Sequence, residues 1–355
     1  MRISLNTQRD MRSNTHYGYG KSFVEIQKAF RNYSYNDEPL FVDYNSARTR
    51  VQMYYGPDPI QSAHHKNQYR IHMSQHESTM VMPHKARAYS LDCEEVWTAN
   101  PWGAQSMINS GVPEDKIHVY EHGIDPNMYS PVLRGNNDKI RFLHIDSGSP
   151  RKRSDLVEKA FESIYAKHKD RIELTLKYTH SPHGKKSWFD NDVLRKGGNW
   201  VSPGIRHIKE TLTDEEMTSL INFHDVLVYP SEGEGFGMIP LEVMATGMPA
   251  ISTHEWCSYS KYLIDNAIES EVKESKISWG YPKLGDGVIA NFDSIVHQME
   301  NAIENIDSIS KKYYEQAPKI LEEYSWQNQT NMFLDKTVSR LGVEAFRKIA
   351  PRWTR

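Results

Sequence analysis

Pro230-Ser231-Glu232-Gly233-Glu234-Gly235-Phe236-Gly237-Met238-Ile239-Pro240-Leu241-Glu242 decides the fold of this chain. The apolar run before it, Val226-Leu227-Val228-Tyr229, reads as a buried parallel strand ending at Pro230. The glycines that follow permit positive φ and close approach of a ligand to the backbone. Ile239 to Ala245 then opens a helix, with Pro240 suited to its first turn. A helix N-terminus behind a glycine turn offers free N–H groups and a positive dipole end, which suits a phosphate. Glu234 and Glu242 flank that point with seven residues between them. A carboxylate accepts hydrogen bonds from vicinal hydroxyls, so the pair fits a sugar and a ribose around a diphosphate.

Outward from this stretch, strands and helices alternate. In the first half, Arg2–Leu5, Pro39–Asp43, Tyr69–Ser74, Glu94–Ala99 and Lys116–Tyr120 read as strands. A Gly18-Tyr19-Gly20 loop leads into a helix over Lys21–Phe30. Residues 126–138 are rich in turn formers and read as a linker. Alternation restarts with a strand at Ile140–Ile145, a helix at Asp155–His168 and a strand at Ile172–Lys177. The polar, aromatic loop 180–204 is long enough to wrap the mouth of a site. Thr213 and Glu216 form a capping box for the helix that delivers the chain to Val226. The pattern predicts an α/β protein of two Rossmann-like, doubly wound parallel-sheet domains. The expected boundaries are 1–130, 131–330 and a C-terminal helical segment, 331–355, that packs back toward the first domain.

Composition agrees with this class. At 355 residues, 38% apolar and 25% charged, the chain suits two globular domains. It has no apolar run of membrane-spanning length and no apolar leader after Met1, so a cytoplasmic protein is expected. Cys93 and Cys257 read as reduced thiols. The net charge of −3 conceals a basic first ninety residues, with twelve Lys/Arg against seven Asp/Glu, six histidines and several tyrosines. Cations interleaved with aromatics can grip phosphates and stack on bases.

Four further segments extend the pattern: Glu94–Asn100, Ser110–Ile117, His122–Asp125 and Tyr324-Ser325-Trp326. Together with Glu234-Gly235-Phe236-Gly237, Glu242 and Met244-Ala245-Thr246-Gly247-Met248-Pro249, they resemble the retaining GT-B nucleotide-sugar glycosyltransferases, the large family that includes sucrose-phosphate synthase and mannosyltransferases. The resemblance is firm after residue 94 and thin before 70. It implies two domains facing a cleft, with the donor held by the second. Glu234 would then contact the donor sugar and Glu242 the ribose. The backbone of Gly235, Phe236, Gly237, Met238 and Ile239 would face the sugar and phosphates.

The family also carries an Arg and a Lys in the loop that here reads Ser147–Arg153. Lys152 aligns with its Lys. The family's Arg lies earlier, where this chain has Ser149, so Arg151 or Arg153 must supply the guanidinium, with Arg151 preferred. Gly18 and Gly20 resemble the first-domain glycine loop that faces the donor phosphates or the acceptor. His76, beside Glu77, stands where family members often place a His near the reacting centre; His16 and His122 are weaker candidates. Asp190-Asn191-Asp192 matches the metal pattern of a different glycosyltransferase fold and reads as coincidental in a loop. The resemblance implies no essential metal.

The implied activity is transfer of a sugar from a donor such as a UDP- or GDP-sugar to an acceptor hydroxyl, with retention of configuration and no cofactor. Two acceptors fit. One is a hydroxymethylated base in double-stranded DNA, as in phage enzymes acting in the host cytoplasm; the other is a saccharide or lipid-linked envelope acceptor. A sugar-nucleotide epimerase is the reading from another class.

Overall fold

The computed structural model describes residues 1–7, 18–44, 49–58, 68–134, 138–146, 148–178, 200–274 and 285–347. Its contacts divide the chain into two units, Met1–Gly123 with Glu323–Arg355, and Ile124–Glu322.

The first unit contains β1 (Arg2–Thr7), α1 (Gly18–Arg31), a short hairpin of β2 (Ser34–Tyr35) and β3 (Glu38–Pro39), β4 (Phe41–Tyr44), β5 (Val51–Tyr55), β6 (Tyr69–Met73), α2 (Pro83–Asp92), β7 (Glu95–Thr98), α3 (Pro101–Asn109) and β8 (Ile117–Val119). Six strands pair in the order β4-β1-β5-β6-β7-β8, every pair parallel. Strands covered on both faces need apolar side chains on both, and all four residues of β7 are buried. The strand Val51–Tyr55 was absent from the sequence reading, although it lies at the centre of this sheet. Helix α1 starts at Gly18, so the expected glycine loop is instead the first helical turn, where Ser22 Oγ donates to Gly18 O.

The second unit contains β9 (Ile140–Asp146), α4 (Ser154–His168), β10 (Ile172–Tyr178), β11 (Trp200–Ser202), β12 (Ile205–Ile208), α5 (Asp214–Phe223), β13 (Val226–Tyr229), α6 (Met238–Ala245), β14 (Ala250–Thr253), β15 (Ala267–Ile268), the hairpin β16 (Ser270–Glu274) and β17 (Asp286–Ala290), and α7 (Phe292–Glu323). Its sheet order is β11-β12-β10-β9-β13-β14-β15, parallel except for the edge strand β11. Thr213 caps α5 with the reciprocal Glu216 bond that the sequence predicts. The core packs Phe142, Phe161, Leu174, Val228 and Ile251 between sheet and helices. Helix α7 departs from helical geometry at Asn305.

Arg134 fastens the segment before β9 to this unit. Its buried guanidinium donates to His224 O (2.9 Å), Val132 O (3.0 Å), Thr246 O (2.7 Å) and Thr246 Oγ1 (2.9 Å). Helix α8 (Trp326–Leu341) belongs to the first unit, where Phe333 stacks on Tyr120 (4.8 Å) and meets Trp97 edge-on (4.5 Å). The architecture is that of a GT-B fold, two parallel-sheet α/β units. No described helix is long and apolar enough to cross a membrane.

Candidate active site

Strand β13 is buried along its whole length and sits centrally in its sheet, so its carboxyl end is held firmly. In doubly wound sheets ligands bind at such strand ends. The chain turns through Ser231–Gly237 and enters α6 at Met238. Gly237 has φ +91, and a Cβ added there would collide with the Tyr259 ring, so glycine is required on two counts. No side chain caps α6. Its N-cap, Gly237, has no side chain with which to bond the first-turn amides. Glu242 lies one turn into this helix and is 6% exposed.

Glu234 is also 6% exposed, and three groups converge on its Oε1. Arg151 Nη1 lies at 3.0 Å, Ser231 Oγ donates at 2.5 Å, and Lys152 Nζ makes a close ion pair. Burial opposes charge on this carboxyl, but Lys152 and Arg151 outweigh it and hold it at about 2. Glu234 is therefore ionised at any physiological pH. Lys152, itself buried, also donates to the Tyr229 hydroxyl, and its ammonium stands 4.7 Å from that ring. Arg151 Nη1 further reaches Gly233 O (2.5 Å). Thr253 Oγ1 donates to Ser231 O (2.6 Å), tying β14 to the same turn.

The turn Pro150–Lys152 that carries the two cations is followed by Arg153, whose φ of 53 is left-handed. Arg153 points elsewhere, pairing with Glu232 and Asp155. Between the two guanidinium candidates, Arg151 is the one beside Glu234.

In the first unit, Gly18 and Gly20 occupy the opening turn of α1. That turn is bonded to the sheet's carboxyl ends. Ser22 Oγ contacts Tyr55 Oη (2.6 Å), the Gln75 amide N–H donates to Tyr19 Oη (3.1 Å), and Gln75 Nε2 reaches both Tyr55 Oη (2.8 Å) and His122 Nε2 (3.1 Å). His76 follows directly, with its ring 5.9 Å from that of Tyr89. Burial, with the Lys85 cation nearby, holds its imidazole at about 3, so it is neutral at pH 7. Burial holds His122 at about 3 as well.

The structure thus brings Glu234, Arg151 and Lys152 together, with Gly235–Ile239 and Glu242 on the same turn and helix. His76, Gly18 and Gly20 lie in the other unit. His16, Ser147 and Asp190-Asn191-Asp192 fall outside the described residues, as does most of loop 180–204. Sequence reasoning missed Ser231, Glu232 and Tyr229 as partners of the charged groups.

Residues 129–277, all in the second unit, match the family model of glycosyl transferases group 1. A D-inositol 3-phosphate glycosyltransferase of Paenarthrobacter aurescens is 25% identical over 162 residues, covering 43% of this chain and 39% of the relative. The chain thus spans well under two thirds of that relative's length. Among solved structures, Anabaena HepE in complex with UDP-glucose superposes with a TM-score of 0.65 at 12% identity, over 96% of this chain and all of that one. Sucrose-phosphate synthase from Thermosynechococcus elongatus gives 0.66 at 11% identity, over 96% and 99%. At such identities the structures establish the shared fold.

Proposed function

We propose that this protein transfers a sugar from a nucleoside-diphosphate sugar to an acceptor hydroxyl, with retention of configuration. The observation that carries this reading is the convergence of Arg151 and Lys152 on Glu234, at the glycine turn that opens α6. As the bond from the sugar's anomeric carbon to the diphosphate breaks, negative charge collects on the leaving oxygen. Two fixed cations and an uncapped helix N-terminus stabilise that charge without reorganising. The acceptor oxygen bonds to the anomeric carbon on the face the diphosphate leaves, and its proton passes to the departing diphosphate. Glu234, ionised throughout, accepts hydrogen bonds from sugar hydroxyls, and Glu242 accepts from the ribose diol. The backbone of Gly235–Ile239 lines the sugar and phosphates. Gly18 and Gly20, which open α1, and His76, neutral at pH 7, are the first unit's candidates for contact with substrate, as the resemblance implies. The chemistry as written calls for no metal and no cofactor.

For the acceptor, the reading is a hydroxymethylated base in DNA, with a saccharide or lipid-linked envelope hydroxyl as the alternative. In the first unit Arg2 pairs with Asp43, Lys28 with Glu25 and Lys85 with Asp58, but these acids are already among the seven set against twelve cations in the first ninety residues, so the excess of positive charge stands. The test is mass spectrometry of products after incubation with a panel of nucleotide sugars, offering oligosaccharides and hydroxymethylated DNA side by side. A sugar-nucleotide converted with no acceptor present would favour the epimerase reading. DNA binding whose affinity falls steeply with salt would support the DNA acceptor, and no binding at low salt would remove it.

A further inference from the structure

Three consecutive cations, Arg151, Lys152 and Arg153, do not act alike. The first two meet Glu234, and the third turns to a different pair of carboxylates. We propose that the Glu232–Arg153–Asp155 bridge is a positioning device, which fixes the turn so that Arg151 and Lys152 present their charges to the donor diphosphate. The proposal rests on the donor reading above.

Arg153 ends the Pro150–Lys152 turn with φ 53 and ψ 39. This region suits glycine and is strained for a residue with a Cβ. Such strain persists where the surroundings over-determine the conformation, and it gathers at functional sites. Here the surroundings are explicit. Arg153 Nε and Nη2 hold the two oxygens of Asp155 at 2.9 and 3.1 Å, and Nη1 pairs with Glu232 Oε1. Asp155 is fixed in the first turn of α4, where its charge also suits the dipole. Glu232 is 5% exposed and stands two residues before Glu234 in the glycine turn.

The backbone repeats the same tie. Glu232 N donates to Arg151 O (2.8 Å), and Val288 N from β17 donates to Glu232 O (3.1 Å). The loop bearing the cations and the loop bearing Glu234 are therefore laced on both sides of Lys152. The left-handed step sends the side chain of residue 153 away from those of 151 and 152. A planar guanidinium bridges two carboxylates in a way that a lysine ammonium does not reproduce. Because its Nε, Nη1 and Nη2 donate to carboxylates, Arg153 acts through its neighbours and not on the substrate.

The experiment measures calorimetric affinity for UDP and GDP, each against its monophosphate, for native protein, Arg153→Gly, Arg153→Ala, Glu232→Gln and Lys152→Ala. Thermal melting is followed in parallel. Glycine relieves the backbone strain and removes the bridge; Gln at 232 keeps shape and removes charge. The expected result is a roughly tenfold fall in the diphosphate-to-monophosphate affinity ratio in Arg153→Gly and Glu232→Gln, with monophosphate affinity unchanged. A merely structural role would move both ligands together. If Lys152→Ala lowers the ratio while Arg153→Gly and Glu232→Gln keep the native value, the positioning role is overturned and the donor reading stands. If native protein binds no diphosphate, or Lys152→Ala leaves the ratio unchanged, the donor reading fails and takes this proposal with it.

Discussion

Arg151 Nη1 stands 3.0 Å from Glu234 Oε1, and the Lys152 ammonium pairs with the same oxygen. The carboxylate proposed to meet a sugar is thus the counter-ion of the cations proposed to meet a diphosphate. This mutual pairing has consequences for substitution. Removing one partner of a buried pair leaves the other charge uncompensated, which typically costs about 3–5 kcal/mol. Glu234→Ala and Lys152→Ala should each lose sugar transfer by more than about a hundredfold and also melt early. The double variant Glu234→Gln/Lys152→Met should be more stable than the sum of its singles, by about 1–3 kcal/mol in a denaturant cycle. Strict additivity would mean that the pair is not coupled.

Acid should weaken both units below pH 6.5. Burial holds His72, His76 and His122 at about 3, against an ordinary 6.5. As pH falls below 6.5 the unfolded chain takes up protons that the folded first unit refuses, so stability drops by about 1.4 kcal/mol per pH unit for each histidine. Glu234, at about 2 against 4.5, contributes stability in full above 4.5 and loses it as pH falls toward 2. In the second unit burial holds His207 and His224 at about 4, so it too weakens below pH 6.5, and Glu234 adds to the loss below 4.5. Melting followed by fluorescence in single-tryptophan variants, keeping Trp97 for the first unit or Trp256 for the second, should show both units weakening between pH 6.5 and 5, the first more steeply. A first unit as stable at pH 5 as at pH 7 would contradict this.

Gly237→Ala should be severely damaging. The substitution meets both a left-handed φ of +91 and the Tyr259 ring. The backbone strain alone is worth about 1–3 kcal/mol, and the collision adds to it. Removing the buried Tyr259 ring is costly by itself, so the test is a cycle: Gly237→Ala with Tyr259→Ala should lose less stability than the sum of the two singles, because the second change removes the collision. Strict additivity would show that the ring is not the obstacle.

Arg134→Lys should destabilise the second unit more than an ordinary charge-conserving change. Lysine has three donors on one atom and cannot serve four carbonyl and hydroxyl acceptors spread over three segments. Each buried acceptor left unmade costs about 1–3 kcal/mol, so a loss of at least that size is expected in urea unfolding.

Much of this was legible in the sequence because local and long-range signals agreed. Val226–Tyr229 is apolar on both faces, and it is followed by glycines and a helix start, so one strand order satisfies all three. The capping box at Thr213 and Glu216 is likewise purely local. Strand β5 was hidden because Gln52 interrupts its apolar run. Its buried amide is accounted for by Asn6 and by Thr49 O, partners 46 and three residues away. Gly18-Tyr19-Gly20 looked like a loop, since glycine weakens helices; the Ser22–Tyr55 bond that holds the turn is again long-range. The carboxylates and cations of the site could be named from their motifs. Which cation meets which carboxylate depends on the backbone of Arg153, and no composition or spacing reveals a left-handed arginine.

The account's central claim is that Arg151, Lys152 and Glu234 hold and activate a nucleoside-diphosphate sugar. The most direct measurement is release of nucleoside diphosphate from a panel of nucleotide sugars, compared between native protein and Lys152→Ala. The account predicts that native protein releases diphosphate from at least one donor, and that the variant does so at least about a hundred times more slowly. Equal release by both proteins, or none by native protein with any donor and acceptor offered, would contradict it.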